Sequence, residues 1–342
     1  MRVRSLGPDA GTKDANTKGA GYGAPLRIDV HHEGRDLQLV LRSATANQFG
    51  HDRRADRAEA AILAADTFGA LPRHVSVLDM GAYKGESEFV SLAGTGEFYL
   101  LTSYSAGRIY AEDLREIARS GLLNPRDLAR CQSLVDYLAE LHAHRPEHPN
   151  TAYARFLRDT LGSGEGIFGI IDGYPDDVPA APRCRLEHIE ELCLRWRHRL
   201  RKHHDRLRRT HGDFHPFNVL FDEASELAVL DTSRGSVGDP ADDIASMAIN
   251  YAFFALGHPG AWHDAFRTLF YLFWERYGAV ASDSALAEVV APLFAWRGLV
   301  LASPTWYPEL RVEDRERILC FIERVLEAPR FAPQMADDFF DT

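Results

Sequence analysis

The feature that most constrains this 342-residue chain is a change of hydrophobic period near residue 105. Before it, apolar residues alternate. LRIDV sets Leu26, Ile28 and Val30 on one face of an extended segment. LQLVLRSA sets Leu37, Leu39 and Leu41 on one face, with Val40 and Arg42 on the other. HHEGRD between them reads as a turn. RADRAEAAILAADTFGAL then has the alanine and leucine content and the 3.6-residue apolar spacing of a helix. Residues 75–80, 88–93 and 97–104 read as three short strands separated by glycine turns. After Tyr104 the period becomes helical. RDLARCQSLVDYLAELHAHR carries the stripe Leu128, Cys131, Leu134, Val135, Leu138 and Leu141. The pattern predicts an α+β chain, with a small sheet-based lobe at 1–104 and a larger helical one at 105–342.

Composition narrows the function classes. Hydrophobic residues make up 45% and charged residues 26%, which reads as soluble and globular with core enough for two lobes. A formal net charge of −11 argues against wrapping a nucleic-acid backbone. The cysteines, Cys131, Cys184, Cys193 and Cys320, have no CxxC spacing and fit free thiols in a reducing cytoplasm. MRVRSLGPDAG lacks the apolar run of a signal peptide. The most apolar segment, 244–256, contains Ser246 and Asn250, is too short to span a bilayer and reads as a buried helix. The expectation is a cytoplasmic protein with neither membrane nor nucleic-acid partner.

One stretch interrupts the helical part: HGDFHPFNVLFDEASELAVLD, from His211. Gly212 and Pro216 argue against a helix, so HGDFHPFN is a loop that presents side chains. VLF is an apolar strand, DEASE a turn and LAVL its partner, followed at once by Asp231. A hairpin of this length brings Asp231 back beside Asn218. Asp213, Asn218 and Asp231 then offer hard oxygens of the kind that suits Mg²⁺, which keeps waters and takes further ligands from phosphates. A rival reading places His211, Asp213 and His215 on one face of a strand, with His203 and His204, as a transition-metal hydrolase. Pro216 and the downstream Asn–Asp pair fit that reading poorly.

The order His-x-Asp, Pro, Asn, hairpin, Asp, followed by GDPADDIA, resembles the aminoglycoside phosphotransferase and choline kinase family of the protein-kinase-like superfamily. The resemblance implies a bilobal kinase-like fold with a small antiparallel-sheet lobe and a larger helical lobe. It implies that Asp213 accepts the proton of a substrate hydroxyl and that Asn218 and Asp231 hold Mg²⁺. His215 falls where protein kinases place a lysine near the transferred phosphate, and His211 falls at a structural position. Asp239 and Asp243 match carboxylates that brace the catalytic loop. The family's aromatic residue after the metal aspartate is missing. Here the order is Asp231-Thr232-Ser233-Arg234, and Arg234 is expected to pair with a loop carboxylate or face the active site.

The first lobe carries matching parts. KGAGYGAP, with Gly19, Gly21 and Gly23, is a candidate phosphate-covering loop. LVLR resembles the strand whose basic residue, here Arg42, binds phosphates with a forked guanidinium. Glu59 stands where its paired glutamate falls, with Asp56 as fallback. EFYLLTSYSAG resembles the hinge, whose backbone at Thr102 and Tyr104 would bind adenine. The glycine-rich RDTLGSGEGIFGIIDGYPDD falls where the family varies its acceptor site, making Glu165 and Asp172 candidate acceptor contacts or else parts of a surface Ω-loop. The acidic MADDFFDT reads as a frayed tail, although the resemblance points to the acceptor pocket. Trp262, Trp274, Trp296 and Trp306 read as core packing. The expected cofactors are ATP, with GTP open, and Mg²⁺. The expected partner is a small hydroxylated acceptor: aminoglycoside, amino sugar, sugar, choline-like alcohol and peptide antibiotic all fit. A nucleotide-binding pseudokinase is the alternative to a kinase. Oligomeric state is not read.

Overall fold

The computed structural model describes residues 1–5, 25–73, 75–85, 88–98, 100–147, 149–232 and 234–340. Gly19, Gly21 and Gly23 lie outside them. The chain forms two compact units, Met1–Thr102 and Ser103–Thr342.

In the first unit β1 (Arg2–Ser5), β2 (Leu26–His32) and β3 (Arg35–Leu41) make an antiparallel sheet in that order. The register pairs Leu26 with Leu41, Ile28 with Leu39 and Val30 with Leu37, so the two alternating faces are cross-strand partners. Glu33 and Gly34, with φ of 48° and 76°, form the two-residue turn between β2 and β3. Helix α1 (Arg54–Thr67) starts where the Asp56 carboxylate accepts the Arg53 N–H at 2.7 Å. β4 (Gly81–Lys84) and β5 (Glu88–Ser91) pair as a hairpin. The strand expected at 75–80 thus forms at 81–84, and 97–104 is not a strand among its described residues. A strand requires a partner for its backbone groups. Residues 81–84 pair with 88–91, and the Leu92 N–H on the Met80 carbonyl at 2.8 Å extends that contact by one bond, so of the expected 75–80 stretch only its end has a partner. Among the described residues of this unit none is buried.

The second unit begins with β6 (Arg108–Ile109), α2 (Tyr110–Ser120), α3 (Pro125–His142), α4 (Pro149–Gly162), α5 (Ile167–Asp172) and α6 (Arg183–Leu200). β7 (Arg208–Arg209), β8 (Val219–Phe221), β9 (Leu227–Val229) and β10 (Val237–Gly238) follow. Then come α7 (Pro240–Leu256), α8 (Pro259–Ala261), a π turn (Trp262–Phe266), α9 (Arg267–Ala281), α10 (Leu286–Val289), α11 (Ala291–Ala302), α12 (Val312–Glu327) and a 3₁₀ segment (Pro333–Phe339). The core lies in this unit. Asn124 and Asp127 cap α3 reciprocally, with Pro125 at its first position. The α3 stripe faces inward as its spacing requires, but Arg130 and His142 are buried with it. Helix α7 is buried along most of its length, and α11 on nearly every face.

Three local expectations change. The C-terminal segment is docked rather than frayed: Phe339 is buried with its ring 4.5 Å from that of Phe321. There Asp337 accepts hydrogen bonds from Trp262, Arg267 and Tyr271. Two phenylalanines give that tail more apolar surface to bury than its charge suggests. The glycine-rich segment is a tight corner between α4 and α5. A Cβ on Gly169 would lie 2.3 Å from the Gly164 carbonyl oxygen, so the close backbone approach needs glycine. Trp306 is 61% exposed, while Trp262, Trp274 and Trp296 are buried.

Candidate active site

The loop from His211 to Asn218 joins β7 to β8. It is held from below by Asp243, in the first turn of α7. This carboxylate accepts the N–H groups of His211 and Gly212, both at 2.8 Å, and meets His142 Nε2 at 3.0 Å. Burial alone would raise Asp243. His142 and the two amides overcome it and hold the carboxyl below its ordinary range. Asp239 caps α7 through the Ala241 N–H and takes Arg206 on both oxygens. Gly212 has φ of 81°, and a Cβ there would meet the Gly235 carbonyl oxygen at 3.2 Å.

Residues 211–215 form a bend closed by the His215 N–H on the Asp213 carbonyl at 3.0 Å, with no strand. The alternating face on which the hydrolase reading depends therefore does not form. His211 is buried and its Nδ1 accepts the Asp213 N–H at 3.3 Å. His215 Nδ1 accepts the Phe217 N–H at 3.3 Å, which leaves the ring proton on Nε2, facing Asp213 Oδ2 at 3.4 Å.

Asp213 is the centre of the constellation. Its Oδ1 accepts from Arg297 Nη1 and Arg234 Nη1, each at 2.9 Å. Its Oδ2 accepts from Asn218 Nδ2 at 3.2 Å. Arg297, on α11, also donates to the Gly212 carbonyl at 2.9 Å and to Asp242 at 2.7 and 3.0 Å. Arg234 donates to the same Gly212 carbonyl at 2.8 Å and to Glu165 at 3.2 Å. Both guanidinium groups lie over the Trp296 ring, 4.2 and 4.7 Å from its centroid. Burial pushes Asp213 up, but the His215 bond and the charges of Arg297 and Arg234 win, holding it far below the usual carboxylate range. Burial dominates at Asp242, which is pushed up to about 6 despite Arg297.

The hairpin closes as its length requires. The Leu230 N–H reaches the Asn218 carbonyl at 2.8 Å, and β8 pairs Val219 with Val229. Asp231 follows with φ of 49°, a left-handed position that aspartate tolerates better than most residues. With the Asn218 amide nitrogen committed to Asp213, its carbonyl oxygen is left for a cation. An amide oxygen and a carboxylate suit Mg²⁺ completed by water and phosphate. Among the described residues no group of three or more His, Cys, Asp or Glu is placed to hold a metal.

These parts open onto a cavity of about 710 Å³ within the second unit. Asp213, His215, Asp231, Arg234 and Glu165 line it, opposite an apolar wall that includes Ile170, Val300, Leu301 and Trp306. Asp172 does not join them. It is exposed at the end of α5, and its charge acts on Glu190, which burial first and Asp172 second push up. Arg42, just after β3, and Glu59, on α1, are exposed. Thr102 ends the first unit, and Tyr104 lies beyond it in the second.

Sequence reasoning passed over Arg297, Asp242 and Arg115, and read Ser246 and Asn250 only as polar residues in a buried helix. All but Asp242 line the cavity. A signal existed for Arg297: it is the lone charge in APLFAWRGLVLA. A buried arginine requires carboxylate partners.

A model of the phosphotransferase enzyme family matches residues 24–277. Among solved structures, a glucosamine kinase (crystal form B) aligns at 16% identity and a TM-score of 0.35, covering 64% of this chain and 56% of that one. A glucosamine kinase in complex with glucosamine, ADP and inorganic phosphate aligns at 15% identity and a TM-score of 0.32, covering 64% and 57%. The chain thus spans just over half the length of these two kinases, and at such scores the alignments place none of its residues. No curated protein matches.

Proposed function

Because this chain belongs to the phosphotransferase enzyme family, with its kinase-like α+β fold, we propose that it transfers the γ-phosphate of ATP, with Mg²⁺, to a hydroxyl of a small molecule. The observation that carries the reading is that Asp213 and Asp231 line one cavity, with Asn218 tied directly to the Asp213 carboxylate. Such a site works by positioning and charge neutralisation, with no covalent enzyme intermediate.

In this reading Asp213 orients the acceptor hydroxyl and takes its proton as the oxygen attacks phosphorus. Asn218 and Asp231 would hold Mg²⁺, which supplies charge for the β- and γ-phosphates. His215, which lines the same cavity and whose Nε2–H faces Asp213 Oδ2, is proposed to help neutralise charge on the transferred phosphate. Arg42, Glu59, the backbone at Thr102 and Tyr104, and Gly19, Gly21 and Gly23 are proposed nucleotide contacts on the family pattern alone. The acceptor lies against Glu165 and the apolar wall. A cytoplasmic location suits such chemistry, and among the described residues no helix is long and apolar enough to cross a membrane.

The test measures ADP release across hydroxylated acceptors, alongside thermal stabilisation by ATP with Mg²⁺. Asp213→Asn is expected to abolish transfer and keep that stabilisation. An acceptor-dependent rate that survives the substitution removes Asp213 from its role. Stabilisation by Zn²⁺ alone, with none from ATP, removes the phosphotransferase reading.

A further inference from the structure

Helix α7 is buried and mostly apolar, yet Ser246 and Asn250, one turn apart on it, line the cavity. The two residues are 1% and 5% exposed. Asn250 Nδ2 donates to the Ser246 carbonyl at 2.7 Å, which fixes which end of the amide is nitrogen and leaves Oδ1 as an acceptor. Among the described residues neither that Oδ1 nor the Ser246 hydroxyl has a hydrogen-bond partner. Neither atom is sealed away, because the fully enclosed polar atoms without partners belong to other residues. A buried polar group left without a partner is costly. Two of them, one helical turn apart on a cavity wall, take their partners from whatever fills the cavity.

The rest of the cavity limits what that is. Ile170, Val300, Leu301 and Trp306 form an apolar wall. Trp306 is 61% exposed, so its indole offers a flat apolar face on the cavity side. The carboxylates on the lining are Glu165, Asp213 and Asp231. Glu165 holds Arg234 at 3.2 Å, and Asp213 holds Arg234 and Arg297 at 2.9 Å each. Asp231 is the proposed metal ligand. The guanidinium groups of Arg115, Arg234 and Arg297 line the same space. An acceptor with several ammonium groups needs carboxylates to replace its lost hydration, and none on this lining is left for it.

We propose that the acceptor is an uncharged polyhydroxylated ring, a sugar or cyclic polyol, whose apolar face lies on Trp306 and whose second hydroxyl is held by Ser246 Oγ and Asn250 Oδ1. Ser246, Asn250 and Trp306 are then specificity-determining residues, and a polycationic aminoglycoside is excluded. The inference rests on the phosphotransferase reading above. The transfer step balances as before: an acceptor oxygen bonds to the γ-phosphorus, the bond from phosphorus to the bridging oxygen breaks, ADP leaves with that electron pair, and the acceptor proton passes to Asp213.

The experiment measures ADP release from ATP and Mg²⁺ with glucose, methyl glucoside and myo-inositol, and with glucosamine, choline and kanamycin at a pH that keeps their amines charged. An uncharged member is expected to give the highest kcat/KM, about tenfold or more above the charged ones. Ser246→Ala, Asn250→Ala and Trp306→Ala should each raise the KM for that acceptor about tenfold, the equivalent of one lost hydrogen bond or ring contact, with kcat and the KM for ATP little changed. Asn250→Asp, which places a carboxylate beside the second hydroxyl, should shift preference from glucose toward glucosamine. A merely structural role for these residues lowers stability and leaves the acceptor KM where it was. Highest kcat/KM with a charged acceptor overturns the inference, as does an acceptor KM unmoved by the three alanine variants. If the buried Asn250 variants do not fold, Ser246→Ala and the exposed Trp306→Ala decide. Thermal stabilisation of wild type by ATP with Mg²⁺ separates the two failures. Its presence with no uncharged acceptor phosphorylated sinks only the acceptor class, and its absence sinks the phosphotransferase reading as well.

Discussion

The two units carry their proposed functional residues in opposite ways. In the second unit Asp213 is bonded to α11 through Arg297, to the loop after β9 through Arg234 and to the start of β8 through Asn218. Asp242 and Asp243, at the head of α7, then tie Arg297 and the loop backbone into the core. In the first unit Arg42 and Glu59 are exposed. A site residue held by buried partners serves folding and chemistry together. An exposed one is free to serve binding alone, so its loss should leave stability untouched. Stability and ligand response, measured side by side, test that contrast.

The largest effect should come from breaking the buried clamp. Arg297→Met removes the guanidinium that pairs with the buried Asp242 and one of two guanidinium groups on Asp213. Removing one member of a buried ion pair costs about 3–5 kcal/mol, because the other charge is stranded. In a chain of this size that lowers the unfolding midpoint by roughly 5 °C. Differential scanning calorimetry measures it. A loss below about 1 kcal/mol would mean that the clamp contributes little to the fold and that the contrast fails on its stronger side.

The second effect is a pH dependence confined to the same unit. Asp242 is pushed from its ordinary 3.8 to about 6 when folded, burial outweighing Arg297. A carboxyl raised on folding binds its proton more tightly in the native state. Its stabilising contribution is full below about pH 4 and is lost as pH rises through about 6, worth roughly 3 kcal/mol. Asp213 and Asp243, held low, act in the reverse sense: they stabilise above the ordinary carboxylate range and lose that contribution as pH falls toward their folded values. Asp242→Asn, a mimic of the protonated form, should therefore remove the decline between pH 4 and 6 and leave the acid limb below it. Parallel pH profiles for wild type and variant would show that Asp242 is not raised.

This contrast also explains how much was legible in the sequence. The HGDFHPFN loop, the hairpin and Asp231 were readable because Gly212, Pro216 and a three-residue apolar strand fix local geometry within about twenty residues. The α3 stripe and the cross-strand faces of β2 and β3 were readable because periodicity reports a face directly. What stayed hidden was long-range. Arg297 lies 84 positions from the Asp213 it bonds, and Asp242 lies 55 from Arg297. No local pattern specifies such pairs. The misplaced strand at 75–80 and the missing one at 97–104 have a related cause: apolar composition marks a strand, but only a partner makes one. The docked tail repeats the lesson, since MADDFFDT shows its charge locally and its aromatic contacts only in the fold.

The smallest effect on stability, and the sharpest test of the contrast, belongs to the first unit. Arg42 is exposed, and no ion pair joins it to Glu59 among the described residues. Arg42→Gln and Glu59→Gln should each change the free energy of unfolding by less than about 0.5 kcal/mol, the range of surface substitutions. If Arg42 grips phosphate oxygens as proposed, the same Arg42→Gln protein should lose much of the stabilisation that ATP with Mg²⁺ gives wild type. A tenfold weaker Kd corresponds to about 1.4 kcal/mol of that linkage. Loss of ligand response without loss of unliganded stability is the signature of a binding residue that the fold does not need. If unliganded stability falls too, Arg42 is a structural residue, and the two units do not differ as argued. If neither changes, Arg42 leaves the nucleotide site, and the basic residue that serves it must be sought elsewhere in the chain.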